Sequence, residues 1–515
     1  MNLTKNAIEN ISEFTAVGTP TTVIRGLNRG QLRELAKKDE IMTEYGSASY
    51  TTKYKSRSAQ FTRTTVDGQI TAEDREVLKK VADYLKTASI IEIDRQMCQG
   101  EVGTTSFGCR LWVSKEYARL GHMFYASLGP IEGDMKTPDL LVVDLPEFPG
   151  ERRILVDPVA GITYVLGTDY YGEIKKAFLR MVMYRGKLQG GLGLHAGSKE
   201  VWARSFKTDE LVRSGMLFFG LSGTGKTSLT CHDFALDELK GEKTRVRQDD
   251  VVLLQSDGSA KGTEIEGFYI KTEGLDPTDQ AALYAAATGQ LAVMENVCVE
   301  NNGKVDFFNT ETSKNGRAVV PVRQVVNTDG DIDMPQANKI FFITRNPLTP
   351  PIARLTTQQA VLAFMLGESI KTSAADPNAK GEPVREVGTN PFIVGSHDEE
   401  GNRFYQILKN NPDIECYLLN TGKVGDGEKA RKITILETVA IIRSIARDAI
   451  EWKKDDILKL EIPESVKGIS IEDFDFEKVW GTQVLRERLE GLRMERKEWL
   501  DQFPGLDKSL SSSLY

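Results

Sequence analysis

Residues 215–230 read GMLFFGLSGTGKTSLT, and no other stretch constrains the chain as tightly. An apolar run, Met216 to Phe219, predicts a buried strand that ends at Gly220. Gly220, Leu221, Ser222, Gly223, Thr224, Gly225, Lys226 and Thr227 then fit the pattern G-x-x-x-x-G-K-[ST]. Glycines let consecutive backbone N–H groups turn inward around an anion. A helix that starts near Lys226 aims the positive end of its dipole at the same place. Lys226 adds a mobile charge for terminal phosphates, and the Thr227 hydroxyl offers a ligand to Mg2+. A glycine-rich turn can match this pattern by chance. The strand before it and the apolar helical pattern after it favour nucleotide binding.

A chain of 515 residues exceeds one ordinary core, so two or three domains are expected. No run of about 18 apolar residues suggests a membrane span. The first residues, MNLTKNAIENISEF, lack the basic-then-apolar order of a signal peptide, which predicts a cytoplasmic protein. Cys98, Cys109, Cys231, Cys298 and Cys416 are widely spaced and odd in number. That argues for reduced core thiols over disulfides or zinc. The net charge is −8 and no dense basic run occurs, which argues against nucleic acid as a partner. An acidic chain that binds anions must gather its cations locally, so basic residues near the glycine loop carry information.

Residues 1–65 are polar, and composition favours a mobile tail over a loop presenting Arg57 to an anion. Thr71 and Asp74 then form a capping-box start for a helix carrying Val77, Leu78, Val81 and Leu85 at helical spacing. Strands are predicted at Ser89, Cys109 and Leu140, with a helix from Ser114 to about Ala126. A helix over 169–189 carries Lys175 and Lys176 at its start, where cations are disfavoured. Either both are solvated, or one faces an anion or metal. His195 follows among glycine-rich turns, a setting in which a lone histidine is more often structural than a ligand. Asp249 and Asp250 end a β-rich run about two dozen residues past the glycine loop, where an acid commonly holds the nucleotide's Mg2+. Further strands are expected at Asn338 and Ile414, and helices near Thr278, Ala360 and Glu437. Residues 373–390 have the length and composition of a closing lid. The end, SLSSSLY, reads as loose.

The ordered set of motifs resembles the ATP-dependent phosphoenolpyruvate carboxykinases. GTDYYGEIKK (167–176) looks like that family's substrate- and metal-binding segment, and His195 follows Lys176 at the family's spacing. GLSGTGKTS (220–228) resembles the ATP form of its phosphate loop, with Asp249–Asp250 at the next station. MENVCVE (294–300), NGRAVVP (315–321), PPIARLT (350–356), YLLNTG (417–422), RKITILET (431–438) and LEIP (460–463) follow in the family's order. The resemblance runs from about Arg57 onward and is strongest after residue 200.

It implies a mixed α/β fold. An N-terminal substrate-binding domain (1–200) would join a phosphate-loop nucleotide-binding domain (201–515), with the active site in the cleft between them and a lid over about 373–390. It implies the reversible reaction of oxaloacetate and ATP to phosphoenolpyruvate, ADP and CO2. Decarboxylating a 2-oxo diacid leaves an enolate, whose charge calls for a metal ion and nearby cations. By resemblance, Mn2+ would sit on Lys176, His195 and Asp250, with Lys176 as the neutral amine. Mg2+ would ride with ATP on Thr227. Lys226 would stabilise the transferring phosphate, and Arg317 would bridge the substrate carboxylate and the γ-phosphate. Arg57 would hold the substrate carboxylate, Tyr170 would pack beside substrate or CO2, and Lys432, Ile433 and Thr438 would line the nucleotide site.

Several positions depart from the family pattern. Tyr171 stands where a second glycine is usual, which would put a ring in a tight turn near the substrate. Gln248 replaces a glycine before the two acids. Lys432 replaces an arginine, losing the bidentate fork, and Arg431 is its natural compensator. SRSAQF keeps only Arg-Ser of the family's longer segment around Arg57. Two other classes share some of these residues. A kinase of the same fold acting on another small acid or hydroxyl would keep Lys226, Thr227 and Asp250. A nucleotide-binding regulator would have no use for all three Mn2+ ligands.

Overall fold

A computed structural model describes Phe14 and residues 18–54, 61–103, 106–133, 135–221, 223–278, 280–309, 315–370 and 382–515. Arg57, Ser222 and the first half of the expected lid (373–381) lie outside these residues. The architecture is mixed α/β, built on several sheets. The chain divides into two compact units, each assembled from separated stretches.

Unit 1 takes the described residues of Met1–Gln189, Gly262–Ile332 and Phe392–Gly395. Its larger sheet runs Thr22–Ile24, Ser89–Met97, Phe107–Ser114, Leu140–Leu145, Ile162–Leu166, Arg153–Asp157, Thr62–Thr64. The helix Ala72–Leu85 starts at a true capping box, Thr71 with Asp74, and buries Val77, Leu78, Val81 and Leu85. The helix expected from Ser114 begins instead at Ala118, after a short 3-10 turn, with no side-chain cap. A second sheet orders Gly267–Lys271, Arg317–Pro321, Val293–Glu295, Ala48–Tyr50, Ile41–Met42. Its Ala48–Tyr50 strand is buried and pairs in parallel with Val293–Glu295. The tail expected here is therefore a core strand. Ala and Ser are small enough to be buried beside Tyr50, and composition alone carries no sign of a partner so far along the chain.

Unit 2 takes Gly190–Lys261, the described residues of Asp333–Pro391, and Ser396–Tyr515. The division expected near residue 200 differs from this: the crossover falls at 189, and 262–332 returns to unit 1. The unit's sheet runs Lys243–Gln248, Ala196–Arg204, Leu211–Phe219, Lys339–Thr344, Glu415–Asn420, Ile352–Leu355, Leu460–Pro463, Trp452–Asp455. Leu211–Phe219 and Lys339–Thr344 are parallel, as are Lys339–Thr344 and Glu415–Asn420. These strands are apolar on both faces, as sheets covered on both sides require. Phe218, Phe341 and Tyr417 stack side by side at 5.0 and 5.2 Å between ring centres. The helix Ile435–Ala446 covers them with Ile441, Ile442 and Ile445. Each such side chain, fully buried, stabilises by about 1.5–3 kcal/mol.

No disulfide joins the five cysteines, and four of them are buried. Among the described residues no helix is long and apolar enough to cross a membrane. The expected loose end is docked: Leu510 is buried, and so is Tyr515. Its serines form a 3-10 turn, Lys508–Ser513, that turns Leu510 inward.

Candidate active site

The glycine loop leaves the end of the buried strand Leu211–Phe219, the end at which open α/β sheets bind ligands. Gly223 (φ 82°) and Gly225 (φ 101°) adopt left-handed conformations that a Cβ would strain. A Cβ on Gly220 would lie 2.5 Å from Thr224 Oγ1. The Thr224 hydroxyl donates to the Leu221 carbonyl at 2.8 Å, and Thr421 Oγ1 donates to the Thr224 carbonyl at 2.8 Å. These contacts fix the turn between Leu221 and Thr224. Lys226 and Thr227 open the helix Lys226–Cys231, so its first amides face the loop.

Three cations or acids meet beside that helix. Lys226 Nζ lies 3.4 Å from Asp250 Oδ1, and His195 Nε2 lies 3.0 Å from the same oxygen. Thr227 Oγ1 donates to Asp249 Oδ2 at 3.4 Å. The two acids divide between the hydroxyl and the cation, which their adjacency in sequence does not reveal. His195 Nδ1 lies 2.6 Å from the Thr389 carbonyl oxygen. A carbonyl only accepts, so Nδ1 carries hydrogen, and Nε2 is the ring nitrogen turned toward Asp250. Gln248, where a glycine was expected, folds back so that its Oε1 accepts the Asp249 N–H at 3.0 Å.

Beneath this helix lies Lys199, fully buried. Its ammonium donates to the carbonyls of Leu229, at 3.3 Å, and His232, and sits 4.0 Å over the Phe234 ring. A cation suits the carbonyl end of a helix. Burial nonetheless pulls its pKa down to about 7. Composition hid this residue, because a lysine within AGSKEVWAR reads as a solvated strand position.

Of the residues expected to line the nucleotide site, Ile433 and Thr438 are buried, and Lys432 is exposed. Arg431, its expected compensator, is held by Glu437 at 2.5 Å and lies 4.8 Å over the Phe474 ring. Glu437 also completes the capping box on Thr434.

Unit 1 carries the remaining residues on one helix and one strand. The helix Tyr171–Leu188 brings both lysines near its start, and the structure separates their roles. Lys175 is buried and pairs with Glu264 at 3.0 Å. Lys176 is half-buried, 4.2 Å over the Phe392 ring. Tyr171 does not crowd the turn. Its ring turns into the core, donating from the hydroxyl to Ser127 Oγ at 2.7 Å and packing edge-on against Tyr269. Gly172 serves the turn instead, since a Cβ there would lie 2.4 Å from the Tyr170 ring. Tyr170 and Tyr269 face the Arg317 guanidinium; burial disfavours that cation, but the two phenols and Glu273 outweigh it.

Two acids that the sequence did not single out organise this face. Glu295 is buried and accepts the Tyr171 N–H at 2.9 Å, the Thr52 hydroxyl at 3.1 Å and the Tyr269 hydroxyl at 2.5 Å. Burial raises its pKa against the pull of Arg119. Asp169 accepts the Lys53 and Tyr54 amides at 3.0 and 2.7 Å and pairs with Arg119. The signal available was one carboxylate inside the apolar run VMENV and one at the edge of a helix.

A parallel strand that ends in such a loop, and hands the loop's lysine to an acid two strands away, defines the phosphate-loop nucleotide-binding class. Comparison with known proteins narrows it. A phosphoenolpyruvate carboxykinase family model matches residues 21–472. Phosphoenolpyruvate carboxykinase (ATP) of Aeropyrum pernix is 34% identical over 426 residues, 82% of this chain and 83% of that protein. The enzyme of the same name from Rhodopseudomonas palustris is 26% identical over 436 residues, 80% of this chain and 76% of that protein. The chain belongs to the ATP-dependent phosphoenolpyruvate carboxykinase family.

Proposed function

We propose that the residues above carry out the family's reaction, the reversible conversion of oxaloacetate and ATP to phosphoenolpyruvate, ADP and CO2. The chain is an ATP-dependent carboxy-lyase of that family. The observation that carries the assignment is the meeting of Lys226, His195 and Asp250 beside the phosphate loop. An imidazole whose Nδ1 is already engaged, together with a carboxylate, is a donor set suited to a borderline divalent cation such as Mn2+. Among the described residues no three His, Cys, Asp or Glu side chains gather as a metal site. By the family resemblance, the third ligand is assigned to the Lys176 amine. A cation held there supplies positive charge for the enolate that decarboxylation leaves.

The chain's own groups supply the rest. The loop amides from Gly220 to Thr227 hold the triphosphate, and the Thr227 hydroxyl is the ligand for nucleotide-bound Mg2+. Lys226 meets the charge that moves between γ-phosphate and acceptor. Arg317, held by its tyrosines, orients the substrate carboxylate toward the γ-phosphate, and Tyr170 packs against the substrate. Arg57 is assigned to the same carboxylate. Ile433 and Thr438 are assigned to the base, and Lys432 to the phosphates as a point charge. In this reading unit 1 contributes the acid substrate's residues and unit 2 the nucleotide's. Residues 373–390 are assigned as the lid that excludes water.

The test uses phosphoenolpyruvate, ADP, bicarbonate, Mg2+ and Mn2+, with oxaloacetate followed through a malate dehydrogenase couple. Steady NADH loss is expected, and His195→Ala should lower it by roughly 10–100-fold at limiting Mn2+. ATP binding without NADH loss would sink the assignment and point to a kinase for another small acid.

A further inference from the structure

Arg345 is the first residue past the strand Lys339–Thr344, at the carboxyl edge of the unit 2 sheet. That strand lies parallel beside Leu211–Phe219, the strand that feeds the glycine loop. Two residues before Arg345, Ile343 packs on the first glycine of the loop: a Cβ built on Gly220 would lie 3.3 Å from Ile343 Cβ. One residue before it, the Thr344 carbonyl accepts the Thr421 N–H at 3.0 Å, and the Thr421 hydroxyl in turn holds the Thr224 carbonyl of the loop. Gly422 packs on Arg345 itself, where a built Cβ would lie 3.1 Å from Arg345 Cβ. The Gly422 carbonyl accepts the Ile433 N–H at 2.9 Å. Arg345 is thus rooted between the glycine loop and the segment expected to line the nucleotide site.

The backbone at this point is fixed. Buried Asn420 donates to the Thr349 carbonyl at 2.7 Å and accepts the Gly422 N–H at 2.8 Å. The Arg345 side chain, by contrast, is unmatched. It is half-buried, burial lowers its pKa, and no neighbouring acid offsets that cost. Among the described residues its buried Nε has no hydrogen-bond partner. Other arginines of unit 2 are matched: Arg354 with Glu461 at 2.8 Å, Arg496 with Glu368 at 2.9 Å, and Arg447 with Glu242. A desolvated cation without a counter-charge is costly until an anion joins it. Of the cations expected at the nucleotide phosphates, Lys432 is a point charge, and Arg431 beside it is engaged by Glu437. Arg345 offers the planar fork that takes two phosphate oxygens at once.

We propose that Arg345 is a phosphate-binding residue of the nucleotide site, its guanidinium gripping the phosphates that ATP and ADP share. The proposal rests on the reading of the glycine loop as a nucleotide site and not on the carboxykinase step. Arg345 then sets nucleotide affinity from the sheet edge, while Lys226 serves the phosphate that moves.

The experiment compares the intact wild type with Arg345→Gln and Arg345→Lys. ADP affinity is measured by calorimetric titration in the presence of Mg2+, and thermal midpoints are taken with and without ADP. Arg345→Gln should weaken ADP binding by roughly 10–100-fold. Its midpoint without ADP should hold or rise, because no pairing is lost, and the stabilisation that ADP confers should shrink. Arg345→Lys keeps the charge without the fork and should recover part of the affinity. Unchanged ADP affinity in Arg345→Gln would overturn the proposal. So would a weakening accompanied by a lower midpoint without ADP, which would mark Arg345 as a brace for the loop. Wild-type protein that binds ADP but shows no oxaloacetate formation would remove the carboxykinase reading, and the titrations would still decide the role of Arg345.

Discussion

Lys199 shows how much a single buried charge can set. Its ordinary pKa of 10.5 falls to about 7 through burial, only partly offset by Cys231 and Asp233. The unfolded chain therefore binds more protons than the native one between about pH 7 and 10.5. Stability linked to this residue rises with pH through that window, and the full cost of burying the cation is felt below pH 7. Lys199→Met should abolish that rise, so the gap between variant and wild type in thermal midpoint should narrow or reverse from pH 7 to pH 10. The linked change is on the order of a few kcal/mol, and an identical pH slope in both proteins would refute it. At this scale the sequence was legible where chemistry is local and opaque where it is not. Lys226 and Asp250, singled out by spacing alone, do meet in the fold. Tyr171 and Lys175 were open questions, because only Ser127 and Glu264, distant in sequence, decide where their ends go.

Helices in this chain start in two ways, and only one is written nearby. Ala72–Leu85 and Ile435–Ala446 begin with capping boxes whose members are three residues apart. Tyr171–Leu188 has no side-chain cap of its own, and its first amide is satisfied by Glu295, 124 residues away. That carboxylate also holds Tyr269 and lies 3.5 Å from Arg119. Glu295→Ala should therefore cost about 3–5 kcal/mol, since it leaves Arg119 short of a buried partner. It should also loosen the helix start that carries Tyr170 and Lys176. Urea unfolding measures the first effect, and the KM for oxaloacetate against that for ATP measures the second. A stability loss under about 1 kcal/mol would show that Glu295 is ordinary packing.

For the molecule as a whole, the sequence revealed a mixed α/β chain with its nucleotide site after residue 200, but not that the chain recrosses. A fragment ending at residue 200 keeps the Ala48–Tyr50 strand and loses its partner Val293–Glu295. Such a fragment should melt without a cooperative transition, as near-ultraviolet circular dichroism would record. A sharp transition near that of the intact enzyme would show that 262–332 is dispensable. The reason this layout escaped prediction is physical: a three-residue strand of Ala, Ser and Tyr has no periodicity to read, and its pairing is specified by a surface made much later. That pairing also governs how the protein is born. Its two strands are roughly 245 residues apart, and at about 5–20 residues per second a ribosome needs roughly 10–50 s to deliver the second. Throughout that interval the first unit has an open sheet edge, and the residues of the phosphate loop are made before the partner strand is. Slowed elongation between residues 190 and 290 would lengthen the time for which that edge is open to aggregation.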